Sequence, residues 1–140
     1  MRVFWDTNLF ICLIGRHPVF YPRVLAMHEA LGARGAVVVT SALTLGELIA
    51  QPLRCGRADL VTAYSDLLMS GRGIELVSFD AGAAREYGRI RASSTVRQPD
   101  AIQLACAIAG EARVFVTDDQ RLWGLQVAGL EAICGMEAIR

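Results

Sequence analysis

Lysine is absent from the 140-residue sequence, and all 14 of its basic side chains are arginines. A P-loop that binds nucleotide phosphates needs a lysine, as do Schiff-base and serine–lysine catalysis, so these three kinds of site are excluded. Histidine is scarce, with two residues, and the four cysteines lack both CxxC spacing and a nearby pair of histidines. We therefore predict buried free thiols rather than a zinc site or a framework of disulfides.

An excess of charge is missing too, because 14 acidic residues balance the 14 arginines. Without a positive field the chain is not expected to bind nucleic acid tightly and non-specifically, although a nucleic-acid substrate can have its charge met locally. No apolar run approaches the roughly 18 residues that span a bilayer, and Asp6 interrupts the first apolar run before a signal peptide can form. The expected location is the cytoplasm, with no membrane contact.

Hydrophobic residues make up 54% of the chain, which suits one compact domain over residues 1–140. Apolar runs rich in β-branched residues alternate with segments of helical period. The expected strands are 2–6, 35–40, 73–79, 113–117 and 129–134, and the expected helices are 7–15, 19–33, 41–51, 57–70, 81–92 and 99–110. The helix that begins at Ser41 is expected to stop before Pro52. This alternation predicts an α/β fold, with a central parallel sheet of four or five strands and helices on both faces.

Five carboxylates stand at strand ends or on neighbouring helices of this predicted fold. Asp6 ends the first strand, Asp118 and Asp119 follow the fourth, Glu47 lies on the helix after the second, and Asp100 opens an apolar helix that should be buried. Ligands of open parallel sheets bind beyond the carboxyl ends of the strands. We therefore expect these acids at one site.

Each acid also has a purely structural interpretation. Asp6 and Asp118 can cap helices, Thr44 and Glu47 match a capping box, and Asp100 can favour the positive end of its helix. Glu47, however, lies about one and a half turns into its helix, too deep for a cap, and is expected to point inward. Several acids in one cleft without lysine would repel one another, and a divalent cation would relieve that repulsion. Oxygen ligands alone select Mg²⁺ or Mn²⁺ over zinc.

Carboxylates around Mg²⁺ suit phosphoryl chemistry, in which the metal offsets phosphate charge and activates a water. The sequence has no GxSxG, and neither histidine has an evident serine or cysteine partner, so the expected reaction is attack of water on a phosphodiester. Arg97 and Arg121 are near Asp100 and Asp119 along the chain. Both arginines are candidate phosphate ligands or, alternatively, ordinary solvated side chains.

Four segments of the chain resemble, in order, the four acidic motifs of PIN-domain ribonucleases, and most closely those of VapC-type toxins of bacterial toxin–antitoxin pairs. They read VFWDTNLFICLI, VTSALTLGELIA, RQPDAIQLACAIA and VFVTDDQRLWGL, and the match covers nearly the whole chain. The resemblance implies that the catalytic acids and Mg²⁺ ligands are Asp6, Glu47, Asp100 and Asp119, with Asp118 as the alternative fourth acid.

The same resemblance gives two uncharged residues a place in the site. Thr117 matches an orienting hydroxyl, and Asn8 matches a motif residue that can shape the turn. It further implies Mg²⁺-dependent cleavage of RNA, with Mn²⁺ able to substitute, a homodimer, and inhibition by a VapB-like antitoxin. Apolar residues on helices 19–33 and 57–70 fit either a dimer contact or an ordinary core.

Other functions are compatible with parts of the pattern. The main alternative is a PIN-like module that binds RNA or protein without cutting. A haloacid-dehalogenase-like phosphatase fits poorly, because such enzymes use DxD where this chain has DTN and they also need a lysine. A receiver-like phosphoacceptor domain fails on the same missing lysine.

Overall fold

The computed structural model describes residues 1–139 and confirms the α/β fold. Within these residues the strands are β1 (Arg2–Trp5), β2 (Val37–Ser41), β3 (Ile74–Val77), β4 (Val114–Val116) and β5 (Ala132–Cys134). The helices are α1 (Thr7–Ile14), α2 (Tyr21–Ala33), α3 (Ala42–Arg54), α4 (Ala58–Ser70), α5 (Ala81–Ser93) and α6 (Gln98–Ala109). Short 3₁₀ turns, Gln120–Leu122 and Met136–Ala138, follow β4 and β5. None of the described helices is both long and apolar enough to traverse a bilayer.

The five strands form one parallel sheet in the order β3-β2-β1-β4-β5. β1 is central, and its Val3 pairs with Val38 of β2 on one side and with Val114 of β4 on the other. Because all strands point the same way, their carboxyl ends meet at one edge of the sheet. The residues that follow β1 and β4 therefore lie side by side.

Alternate side chains of the strands fill two cores, one on each face of the sheet. Val3 and Trp5 pack with residues of α1 to α4, whereas Phe4 points the other way and packs with α5 and α6. Phe4 also stacks on Phe115 of β4, with 4.9 Å between the ring centroids. The predicted helix layers on both faces are confirmed, and the two cores fix the positions of the strand ends.

Helix α6 buries six of its twelve residues, as its apolar sequence predicts. Pro99 lies in its first turn, where a missing N–H is tolerated, and Gly110 caps its end by donating from its N–H to the Cys106 carbonyl at 2.8 Å. Both predicted ends are therefore correct to within one residue. The buried helix holds Asp100, in its first turn, at the edge of the sheet.

The predicted end of α3 is wrong, because the helix continues through Pro52 to Arg54. A proline near the end of a helix removes one backbone hydrogen bond, and here its ring is buried, which favours the longer helix. The Pro52 carbonyl also accepts from the N–H of Arg57 at 2.8 Å. Several other predicted elements were too long: α2 begins at Tyr21, β3 covers only Ile74–Val77, and β5 covers only Ala132–Cys134.

All four cysteines are free. Cys12 and Cys106 are buried, as predicted, and burial raises the pKa of the Cys106 thiol to about 11. Cys134 is half-buried, and Cys55 is exposed at the end of α3, so the prediction of buried thiols is wrong for Cys55.

Candidate active site

Five carboxylates from four separate segments line one cleft of about 310 Å³ at the carboxyl ends of the strands. Asp6 follows β1, Asp118 and Asp119 follow β4, Glu47 comes from α3, and Asp100 comes from the first turn of α6. The cleft is completed by Thr7, Asn8, Ile11, Pro99 and Gln103. The structure thus brings together every acid that the sequence places at the site.

Asp6 both caps α1 and faces the cleft, so its two interpretations are compatible. Its Oδ1 accepts a hydrogen bond from the backbone N–H of Thr7 at 2.8 Å, and its Oδ2 accepts one from the Thr117 hydroxyl, also at 2.8 Å. Burial raises the pKa of Asp6, the two hydrogen bonds oppose this, and the negative charges of Asp100 and Glu47 raise it further. The Thr117 contact is the one that an orienting hydroxyl would make.

A network of uncharged side chains supports the cleft. The Gln103 amide donates to the hydroxyls of Thr7 and Thr44, at 3.1 and 2.8 Å. The Thr7 hydroxyl donates to Oε1 of Glu47 at 3.0 Å, and the Ser41 hydroxyl donates to the Gln103 carbonyl oxygen. Gln103, Thr44 and Ser41 are buried. These bonds join α1, α3 and α6 behind the acids.

Sequence reasoning missed Gln103 and Thr7 as parts of the site. A signal for Gln103 was present, because it is a polar residue among the buried apolar residues of α6. One prediction for α3 needs correction, because Glu47 does not point inward but is solvent-exposed at the cleft. The predicted start of α3 at Ser41 is confirmed over the alternative capping box, since the Ser41 hydroxyl accepts from the Thr44 N–H at 3.3 Å.

Asp118 and Asp119 have different partners. Asp118 accepts a hydrogen bond from the Asn8 side chain, so Asn8 links α1 to the segment after β4. Asp119 caps the 3₁₀ turn and is paired with Arg121, whose Nε and Nη2 donate to its two carboxylate oxygens at 3.0 and 2.7 Å. This pairing lowers the pKa of Asp119. The predicted cap at Asp118 is thus made by Asp119.

A second, smaller pocket of about 190 Å³ adjoins the acidic cleft. Asp100 and Asp119 line both spaces, and the second pocket adds Arg97 and Arg121. Its remaining lining residues are Thr95, Val96, Leu122 and Leu125. The two arginines that the sequence offers as phosphate ligands therefore lie together, next to the acids.

The donor set of the cleft fits Mg²⁺ or Mn²⁺, because it consists of carboxylate, hydroxyl and amide oxygens without histidine or cysteine. A cation would also offset the negative charges of Asp100 and Glu47, which add to the effect of burial in raising the pKa of Asp6. As the side chains stand, no three Asp, Glu, His or Cys residues within 1–139 are grouped so that they could hold a metal ion. Metal binding would thus require the carboxylates, some of them now engaged by Arg121 and Asn8, to turn toward one point.

Comparison with known sequence families gives a match that covers most of the chain. The sequence model of the PIN domain matches residues 3–125, which contain all the cleft acids. The chain belongs to the PIN-domain family. The resemblance inferred from the four motifs is thus confirmed at the family level. No significant relative is found among curated protein sequences.

Solved structures share this PIN-domain fold. A chain in the structure of VapBC2 from Rickettsia felis, bound to a DNA fragment from its promoter, is 22% identical with a TM-score of 0.72, and the match covers 96% of this chain and 98% of that chain. A chain of VapBC-5 from Mycobacterium tuberculosis is 25% identical with a TM-score of 0.60, with the same two coverages, 96% and 98%. VapC20 from M. tuberculosis, a toxin that cleaves the sarcin–ricin loop, is 18% identical with a TM-score of 0.63, covering 84% of this chain and 91% of that chain.

Proposed function

We propose that this PIN domain is a Mg²⁺-dependent ribonuclease and the toxin of a VapBC-type toxin–antitoxin pair. The observation that carries the proposal is the meeting of five carboxylates from four segments in one cleft, on a framework of uncharged hydrogen-bond donors. Asp6, Glu47, Asp100 and Asp119 or Asp118 would hold the metal. A bound Mg²⁺ would offset the charge of a phosphodiester and activate the attacking water.

The chain's own residues orient the acids for this reaction. Thr117 directs Oδ2 of Asp6, and Thr7 holds Glu47. Asn8 holds Asp118 in the absence of a metal ion. Gln103 holds Thr7 in place before any ligand binds, and such preorganisation lowers the barrier to reaction. The oxygen of water bonds to the phosphorus as the water gives up one proton, the bond to the leaving oxygen breaks, and that oxygen takes up a proton.

Solved structures that share the fold support the substrate and the partners that we propose. VapC20, which shares the fold, cleaves the sarcin–ricin loop, and this supports RNA as the substrate. Structures of VapBC complexes support a VapB-like antitoxin as the inhibitor. A homodimer and a cytoplasmic location are parts of the same proposal.

A second candidate function is a PIN-like module that binds RNA or protein without cutting. The observation in its favour is that, as placed in residues 1–139, the carboxylates do not form a ready metal site. The two candidates differ in metal binding. Mn²⁺ should raise the melting temperature of a nuclease and leave that of a binding module unchanged.

The direct test is to incubate the antitoxin-free protein with total cellular RNA, in Mg²⁺ or in EDTA. Asp100→Asn removes a cleft acid with almost no change in shape, and Asp66→Asn, on the exposed side of α4, is the matched control. Discrete fragments that require both Mg²⁺ and Asp100, and that Asp66→Asn still produces, support the nuclease. Intact RNA with a folded protein that also ignores Mn²⁺ favours the binding module.

A further inference from the structure

Arg121 lies beside Asp119, an acid that is shared by the two spaces of the candidate active site. Its partner Asp119 lines both the acidic cleft and the adjoining pocket, whereas Arg121 itself lines only the pocket, together with Arg97. The guanidinium occupies both carboxylate oxygens of Asp119, at 3.0 and 2.7 Å. One acid of the cleft is therefore neutralised by a cation of the chain itself.

We propose that Arg121 is a phosphate ligand held in reserve, which means that it stays bound to Asp119 until a divalent cation takes its place. The released guanidinium would then bind, together with Arg97, an RNA phosphate beside the one that is cut. The inference rests on the proposed ribonuclease function. It adds to that function a coupling between the metal and the RNA, with Arg121 as the residue that carries it.

Competition between two cations for one carboxylate is the basis of the coupling. The flat guanidinium donates two parallel bonds to a carboxylate and makes the same paired contact with a phosphate. While this contact holds, Asp119 has fewer free lone pairs and less negative charge to offer a metal ion. Because the Arg121 side chain is 67% exposed, it can leave Asp119 without breaking the core.

The pocket beside the cleft suits the displaced guanidinium and a nucleotide. Arg97 is exposed on its rim and lowers the pKa of Asp119, so the two groups lie within electrostatic reach. Val96, Leu122 and Leu125 give the pocket an apolar wall against which a ribose or base can pack. Two arginines for the phosphate, together with an apolar wall for the ribose or base, suit one nucleotide of a single strand.

Metal binding without RNA is the first test. Mn²⁺ affinity is measured by titration calorimetry for the wild type, Arg121→Gln and Arg57→Gln. Arg57 is the matched control, because it makes the same two-pronged contact with Asp59, at 3.0 and 2.9 Å, near the start of α4. Freeing Asp119 should tighten Mn²⁺ binding about threefold to fivefold in Arg121→Gln, and Arg57→Gln should match the wild type.

RNA binding is the second test. Here Arg121→Gln should weaken binding, whereas the same change should tighten the binding of Mn²⁺. Binding of a labelled single-stranded RNA oligonucleotide is measured by fluorescence anisotropy without metal and with Ca²⁺, and a gel checks that the RNA stays intact. Ca²⁺ should tighten RNA binding to the wild type, and Arg121→Gln should lose most of that gain and bind the RNA about threefold to tenfold more weakly in Ca²⁺. Arg121→Lys keeps the charge without the paired geometry and should lie between the two.

The outcomes separate the coupling from the proposed function. If the wild type binds Mn²⁺ and Arg121→Gln, shown to be folded by its melting curve, binds it with the same affinity, the reserve role of Arg121 is wrong while the nuclease stands. An unchanged gain from Ca²⁺ in Arg121→Gln overturns the role equally. If the wild type binds no Mn²⁺ at all, both the coupling and the metal-dependent nuclease fail.

Discussion

Acidic side chains are arranged differently at the two ends of the sheet. At the amino ends of the strands, Arg2 donates to both carboxylate oxygens of Glu75 at 2.8 Å, and Arg113 lies 3.2 Å from Glu131. At the carboxyl ends, five acids share one cleft, and the ion pair recorded among them is that of Asp119 with Arg121. One end has acids matched by arginines, and the other has acids gathered together.

Three of the gathered acids, Asp6, Glu47 and Asp118, are held by uncharged donors instead. Hydroxyl, amide and backbone N–H groups from Thr7, Asn8 and Thr117 contact them and leave their negative charge in place. Burial and like charge then raise the pKa of Asp6, so the arrangement costs stability unless a cation binds. Ion pairs stabilise the amino end, whereas acids gathered at the carboxyl end are what a site that binds a cationic ligand is expected to show.

Asp6→Asn should have the largest effect, because it removes a charge from the cleft and keeps the cap of α1. We expect RNA cleavage to fall about 100-fold or more, with a melting temperature that is unchanged or higher, since repulsion from Asp100 and Glu47 is relieved. Initial cleavage rates and thermal melts measure the two effects. Glu75→Gln, at the other end of the sheet, should cleave like the wild type, and full activity of Asp6→Asn would contradict the role of Asp6.

Gly135→Ala should damage the carboxyl end through packing alone. A methyl group at Gly135 would lie 2.5 Å from Cζ2 of Trp123, whose indole N–H donates to the Thr117 carbonyl at 2.9 Å. We expect a loss of about 1–3 kcal/mol in the free energy of unfolding and a weaker site, because Thr117 also holds Asp6.

Chemical denaturation measures this loss, and Gly88→Ala is the matched control. Gly88 lies in α5 with no atom close enough to meet an added methyl, so that exchange should stabilise the helix by up to about 1 kcal/mol. Equal stabilities of the two variants would show that the Trp123 contact does not constrain the site.

Gln103→Leu tests the buried network behind the acids. It leaves the Ser41 hydroxyl and the hydroxyls of Thr7 and Thr44 without their amide partner, so we expect a loss of about 1–2 kcal/mol. Urea unfolding reports the change. Gln126→Leu, at an exposed position, should alter stability by no more than about 0.5 kcal/mol.

Removing the pair at the amino end should have the smallest effect. Arg2 lowers the pKa of Glu75, so the pair stabilises the fold above the ordinary pKa of a glutamate, and this contribution is lost as the pH falls through the lowered value. Glu75 is more than half exposed, and solvent screening limits the pair to about 0.5 kcal/mol. Melting of Glu75→Gln should therefore approach that of the wild type in acid and in high salt, and a constant difference would contradict this account.

The sequence predicted the order of elements well because local signals agree with the fold. Pro99 and Gly110 bound α6, and the β-branched runs mark the strands. Pro52 misled the prediction, since burial of its ring depends on tertiary packing that no local pattern records. The acids were found by their places after strands, and their convergence follows from the parallel sheet.

The detailed contacts of the site could not be predicted in the same way. The bonds from Gln103 to Thr7 and from Thr117 to Asp6 join residues 96 and 111 positions apart. The two-pronged contact of Arg121 with Asp119 joins residues close in the chain, but the role proposed for Arg121 depends on the two cavities that Asp119 lines. Such features depend on side-chain placement, which hydrophobic period does not determine.

The central strand β1 is made early in synthesis, whereas other parts of the acidic cleft are made much later. During synthesis Asp6 is made before its hydroxyl partner Thr117, which follows 111 residues later. At about 5–20 residues per second, Asp6 waits several seconds for that partner and for the acids beside it. A nascent chain therefore carries Asp6 long before it has a cleft, and the site cannot be complete until Thr117 has been made.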